Sequence, residues 1–122
     1  MDEQTFKTRT RKLAVAIVKE VDALPRSLAA NVIGRQLVRS GTSIGANYRA
    51  ACRAKSTADM INKLKIVEEE SDETGYWLEL LVEAELLPRD KVENLAREAN
   101  EILAMTIASI KTLRARQPNR KP

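Results

Sequence analysis

Arg35-Gln36-Leu37-Val38-Arg39-Ser40-Gly41-Thr42-Ser43-Ile44-Gly45-Ala46-Asn47-Tyr48-Arg49 reads as helix, although it carries two glycines, two serines, a threonine and an asparagine. Extended at helical periodicity it shows two stripes. Ile33, Leu37, Ser40, Ile44, Asn47 and Ala51 share one face, and Arg35, Arg39, Thr42, Ala46, Arg49 and Arg53 share another. The first stripe requires a partner that accepts polar atoms in a buried seam. The second requires something acidic.

Both partners are available further along the chain. Ser56-Thr57-Ala58-Asp59 is a helix-start signal, a capping hydroxyl followed by an acid in the first turn. The helix it opens is expected to run to about Leu86. Its seam is Met60, Leu64, Val67, Ser71, Thr74, Leu78 and Leu81, alternating steps of four and three, the period of helices packed at small crossing angles. Beside the seam lie Glu69, Asp72, Tyr76, Glu79 and Glu83, a mostly acidic stripe expected to meet the arginines of the preceding helix.

Two further helices flank this pair. One covers about Glu3 to Asp22, with Phe6, Thr10, Leu13, Ile17 and Val21 on one face, and ends at Leu24-Pro25 because proline disfavours helical geometry in the residue before it. The arginine-bearing helix then covers about Arg26 to Ala54, with Ser27 as a capping hydroxyl near its start. Gly41 costs it roughly 1 kcal/mol relative to alanine, but the stripes keep phase through that position, so a continuous helix is expected. After Leu87-Pro88 a fourth helix covers about Arg89 to Arg114, on Val92, Leu95, Ala99, Ile102, Thr106, Ser109 and Leu113.

Four helices joined by short connections imply an all-α, antiparallel up-down-up-down four-helix bundle over residues 1–115. Residues 116–122 are expected to form a mobile basic tail, because they include no apolar anchor. Counting from the turn near Lys55 puts Ser40 level with Ser71. Ser40, Asn47, Ser71 and Thr74 are therefore expected to form a polar layer, largely buried and hydrogen-bonded to one another or to backbone.

Composition narrows the chemistry. The chain has 122 residues, 43% of them hydrophobic and only 3% aromatic, with four glycines, four prolines and no histidine. Without histidine, neither a Ser-His triad nor the Glu-x-x-His di-metal site of helical bundles can be built. Glu68-Glu69-Glu70-Ser71-Asp72-Glu73 is read as a solvated or ion-paired face, not a metal site. No glycine loop carries the lysine of a phosphate cradle. The expectation is a non-enzyme with no metal and no cofactor. The single Cys52 cannot form an internal disulfide and reads as a small buried apolar residue in a reducing compartment. No apolar run approaches the roughly 20 residues of a membrane span and no signal-peptide core is present, so a cytoplasmic protein without membrane contact is expected.

Charge is divided along the chain. The net value is +4, yet residues 1–65 carry 13 basic and 5 acidic side chains, residues 66–110 carry 3 and 12, and residues 111–122 carry 5 and none. The field is dipolar. If the arginines of helix two are neutralised by helix three, the free cations are Lys7, Arg9, Arg11, Lys12, Lys111, Arg114, Arg116, Arg120 and Lys121, a collar at the end shared by the start of helix one and the end of helix four. Such a collar fits the phosphates of RNA or DNA, and the paucity of aromatics argues against base stacking. Arg35, Arg39, Glu69, Asp72, Tyr76, Trp77 and Glu79 are the candidate interface between chains, with Tyr76-Trp77 as the aromatic anchor against a simple core role. An assembly scaffold for another protein is the alternative reading.

The segment Gln36-Leu37-Val38-Arg39-Ser40-Gly41-Thr42-Ser43-Ile44-Gly45-Ala46-Asn47, followed by Glu68-Glu69-Glu70-Ser71-Asp72-Glu73-Thr74-Gly75-Tyr76-Trp77-Leu78, resembles the bacterial proteins encoded in intervening sequences of 23S ribosomal RNA, also labelled S23 ribosomal proteins. The resemblance spans about Phe6 to Leu113. It implies a four-helix bundle that assembles as a homopentameric ring and carries no catalytic residues. A related protein, the accessory variability determinant of diversity-generating retroelements, implies a basic surface that binds nucleic acid and a reverse transcriptase.

Overall fold

Three of the four helices begin where a side chain takes up one of the unpaired amide groups. The computed structural model describes residues 2–117. Helix α1 (Glu3–Asp22) starts at Asp2, whose carboxylate accepts from the Thr5 amide at 2.7 Å. Helix α2 (Leu28–Cys52) starts at Ser27, which accepts from Ala30 N at 3.1 Å. Helix α3 (Thr57–Glu83) starts at Ser56, which accepts from Asp59 N at 3.0 Å while Asp59 accepts from Lys55 N at 3.1 Å. Helix α4 (Arg89–Ala115) follows Pro88, which has no side chain to cap with. Such caps contribute typically about 1 kcal/mol each.

Helix α2 is continuous through Gly41, as its unbroken stripes require. It is shorter at both ends than the sequence suggested, because Ser27 serves as cap and the chain turns after Cys52. Helix α3 stops at Glu83, short of Leu86. Glu85 takes a left-handed conformation (φ 61°), and the amides of Leu86 and Leu87 fold back to the Leu81 carbonyl at 2.9 and 3.1 Å. That closure satisfies the last carbonyls of the helix with glutamate where glycine is usual.

The helices pack in chain order, α1 on α2, α2 on α3 and α3 on α4, and α4 closes back on α1 without diagonal contacts. This is the up-down-up-down bundle. Its main core joins Phe6, Leu13, Ile17, Leu37, Ile44, Val67, Leu78, Leu81 and Ile102, and a smaller cluster of Ala51, Ile61, Leu64 and Ile110 fills the end where α2 finishes and α3 begins.

Three of the four glycines serve the α1–α2 seam. A Cβ on Gly34 would lie 3.1 Å from Val21, on Gly41 2.6 Å from Ile17 Cδ1, and on Gly45 3.1 Å from Thr10 Oγ1. The residues that weaken α2 as an isolated helix therefore let α1 approach its backbone closely. Gly75 meets nothing within 4 Å.

The polar layer is present in part. Ser40, Ser71 and Thr74 are buried, and Thr74 Oγ1 donates to Ser40 Oγ at 3.0 Å across the α2–α3 seam. Ser71 donates to the Val67 carbonyl at 2.7 Å. Asn47 departs from the expectation. It is half-buried and not fully closed off, although its amide does pair with backbone, donating to Ser43 O of its own helix at 2.8 Å. Among the described residues no buried side-chain nitrogen or oxygen lacks a partner. Cys52 is also only half-buried, next to Tyr48, and burial pushes its thiol up from the ordinary value.

Candidate nucleic-acid interface

The antiparallel arrangement brings the start of α1, the end of α2, the start of α3 and the end of α4 to one end of the bundle. Phe6 stacks on Tyr48 with ring centroids 4.3 Å apart, and Glu3, Cys52, Met60, Leu113 and Arg116 border a single groove of about 620 Å³. The charges expected at this end fall into three groups.

Arg11, Lys12, Lys111, Arg114 and Arg116 are exposed and take part in none of the ion pairs among the described residues. Lys7 and Arg9 are not free, contrary to the collar drawn from the sequence. Lys7 is 2.9 Å from Glu3, one turn earlier. Arg9 reaches across to α4, donating to Glu98 at 2.9 and 2.6 Å and to Glu101 at 2.9 Å. The hydrogen bonds that Arg9 donates to Glu98 hold the guanidinium above its ordinary value and the Glu98 carboxyl below its own. Arg9 is thus a clasp between α1 and α4. Arg120 and Lys121 lie outside the described residues.

The expected meeting of the arginine and acidic stripes needs a correction of register. Arg39 does cross to α3, but its partners are Glu70, at 3.1 Å, and Glu73. Asp72 and Glu69 are exposed on the outward face of α3, one position round the helix from the residues that turn to α2. Among the described residues Arg35 forms no ion pair, with Glu79 or any other acid, and Glu79 instead borders a groove of about 630 Å³ between α3 and α4. Trp77 is half-buried against the core and donates to Glu73 at 3.1 Å, so it steadies the carboxylate that Arg39 uses. Tyr76 is 52% exposed and touches Trp77 edge-on at 5.0 Å. The acidic run does not gather: among the described residues no three cysteine, aspartate or glutamate side chains converge as a metal site would require.

With only Arg39 neutralised, Arg49 stays exposed and free of an ion pair. It lines a groove of about 360 Å³ between α1 and α2 together with Arg11, Lys7 and Gln4. The sequence reading passed over this groove. Its signal was the Thr42, Ala46, Arg49 spacing, which was assigned to an acidic partner. Likewise Glu98 and Glu101, three apart on one face of α4, went unassigned although they fit a guanidinium fork.

Four helices packed neighbour to neighbour in chain order define the chain as an all-α four-helix bundle protein. The chain belongs to the family described as 23S rRNA-intervening sequence protein, whose pattern it matches over residues 3–108. It is similar to a crystal structure from Bacteroides thetaiotaomicron, described as a protein of unknown function from the S23 ribosomal protein family. The two share 41% identity and a TM-score of 0.84, covering 91% of this chain and 99% of the other. No curated protein matches the chain. No helix among the described residues is long and apolar enough to cross a membrane.

Proposed function

We propose that the protein is a non-enzymatic, cytoplasmic homo-oligomer, pentameric as the family resemblance implies, that binds RNA or DNA through its cationic end as a ribonucleoprotein or reverse-transcriptase accessory. The observation that carries this reading is a set of exposed cations that take part in none of the ion pairs among the described residues, Lys111, Arg114 and Arg116 at the end of α4 and Arg11 and Lys12 further along the bundle at the middle of α1. Residues 1–115 act as the scaffold and 116–122 as a basic extension. One copy is a modest polycation, but copies repeated around an axis act together through effective concentration. Binding is then driven by backbone phosphates and falls steeply with salt, with a slope of about −0.9 in log affinity per phosphate contact on duplex DNA.

Sedimentation of the full chain together with anisotropy titrations of labelled RNA and DNA across a salt series tests both parts. Removing residues 116–122 should flatten the slope and leave the assembly intact. Absence of binding at low salt overturns the reading and favours a scaffold for a protein partner. The exposed acids Glu69, Asp72 and Glu79 on α3 and the unpaired Arg35 on α2 support that second reading.

A further inference from the structure

The groove that Lys7, Arg11 and Arg49 line between α1 and α2 differs in its charge from four other grooves of the surface. The α3–α4 groove carries Glu79, Glu83, Glu93 and Glu101, the groove under Tyr48 carries Glu3, the one beside Pro25 carries Asp22, and the one at Pro88 carries Glu85. The α1–α2 groove is lined by no carboxylate at all. It has three cations, Lys7 and Arg11 from α1 and Arg49 from α2. Lys7 is engaged by Glu3, which leaves Arg11 and Arg49 as unpaired guanidinium groups on facing helices.

Its floor is built to be open. Ala14, Gly45 and Ala46 lie between the cationic walls, so no long side chain fills the space. At Gly45 the two helices come so close that a Cβ would stand 3.1 Å from Thr10 Oγ1. The hydroxyls of Thr10 and Thr42 donate to carbonyls of their own helices, Lys7 O and Val38 O, which leaves the Gln4 amide, the two guanidinium groups and the Lys7 N–H groups not used by Glu3 as the donors available to a ligand. Two forked donors in a small, carboxylate-free recess fit an oxyanion with several acceptor oxygens better than a carboxylate side chain or an apolar group.

We propose that this groove is a phosphate subsite that seats a backbone phosphate of the bound nucleic acid between Arg11 and Arg49. The proposal rests on the nucleic-acid reading above and extends its contact surface from the end of the bundle along the α1–α2 side.

The test uses the full chain with a labelled single-stranded RNA and a labelled DNA duplex. Four variants are compared: Arg11→Gln with Arg49→Gln, Ala46→Glu, its neutral control Ala46→Gln, and Lys111→Gln with Arg114→Gln outside the groove. Arg11, Ala46 and Arg49 are all exposed, so the fold should tolerate these changes, and thermal melts confirm it. The double arginine variant should bind more weakly and lose about 0.9 from its duplex salt slope, one phosphate contact's worth. Ala46→Glu should weaken binding at least about tenfold, because it places an anion on the floor, whereas Ala46→Gln should not; a tenfold loss corresponds to about 1.4 kcal/mol. If the groove variants bind with unchanged affinity and slope while Lys111→Gln with Arg114→Gln weakens binding, the groove is not a subsite and the nucleic-acid reading stands. If the unaltered chain binds neither probe at low salt, both fall together.

Discussion

Thr74 shares its hydroxyl proton between Ser40 Oγ, 3.0 Å away across a part of the α2–α3 seam closed to solvent, and the Glu70 carbonyl of its own helix at 2.8 Å, and Ser40 in turn donates to the Leu37 carbonyl at 3.3 Å. Two small polar residues thus satisfy each other between helices that are otherwise joined by aliphatic side chains. A seam that slipped along either helix would separate them and leave buried hydroxyls dependent on their own backbone.

Removing one partner should show this. Ser40→Ala is expected to cost about 1–2 kcal/mol, since Thr74 loses its cross-helix acceptor in a buried site and keeps only the Glu70 carbonyl at 2.8 Å. Ser40→Ala combined with Thr74→Val should cost less than the sum of the single changes. Urea unfolding of the three variants measures the coupling. Asn47→Leu, half-buried and bonded within its own helix, should change stability by well under the Ser40 effect. A larger loss at Asn47 than at Ser40 would place the register-setting contact elsewhere.

Two glycines predict opposite responses to the same methyl group. Gly75→Ala should stabilise by up to about 1 kcal/mol, because helix propensity improves and the new Cβ meets nothing within 4 Å. Gly41→Ala gains the same propensity, but its Cβ would fall 2.6 Å from Ile17 Cδ1 and 3.2 Å from Ile17 Cγ2. Overpacking of this kind costs about 1–3 kcal/mol, so the net effect should be destabilising. Melting temperatures of the two variants should move in opposite directions. Ile17→Val in the Gly41→Ala background, which shortens the clashing arm, should recover part of the loss.

The bundle was legible in the chain because its signals are local and periodic. Ser27 and Ser56 announce their helices by side-chain chemistry, and the seam Leu64, Val67, Ser71, Thr74, Leu78 and Leu81 repeats without a slip. What was not legible depends on neighbours. Glycine spacing in α2 reads as helix weakness until α1 is seen lying against it. Glu85 carries no mark of a left-handed turn, because the usual mark is glycine. In the candidate site, exposed Arg11 and Lys12 stayed free as charge counting implies, whereas Arg9 was lost to Glu98, 89 residues away. The α2–α3 ion pairing was foreseen in kind but not in register. One residue's rotation separates Asp72 from Glu73, and a stripe counted on sequence does not fix which flank of the seam faces the partner.

That register makes a discriminating measurement possible. Arg39 with Glu70 should show measurable coupling in a double-mutant cycle, within the roughly 0–1 kcal/mol range of exposed pairs, and Arg39 with Asp72 should show none. Glu73→Gln should also disturb Trp77, whose indole N–H donates to the same carboxylate, and so shift tryptophan fluorescence. Coupling to Asp72 that appears only under conditions where copies assemble would move that contact to the interface between chains.

The Arg9 clasp carries a pH signature. Hydrogen bonds from Arg9 hold the Glu98 carboxyl below its ordinary value of 4.5, while the guanidinium keeps its charge throughout the acid range. The groups facing Glu98 here are Arg9, Glu101 on its own helix, and the Met105 sulfur 3.4 Å from the guanidinium. Because the folded value lies below the unfolded one, the clasp stabilises fully above the ordinary carboxylate range and is lost as pH falls through the depressed folded value. Glu98→Gln should therefore be less stable than the unaltered chain by about 1 kcal/mol near neutral pH, the scale of a forked, partly exposed ion pair. The gap should close as the pH drops below 4.5. Chemical unfolding at a series of pH values gives both curves. A gap that stays constant from pH 7 into the acid range would mean that Glu98 holds α1 to α4 through packing and neutral hydrogen bonds, not through its charge.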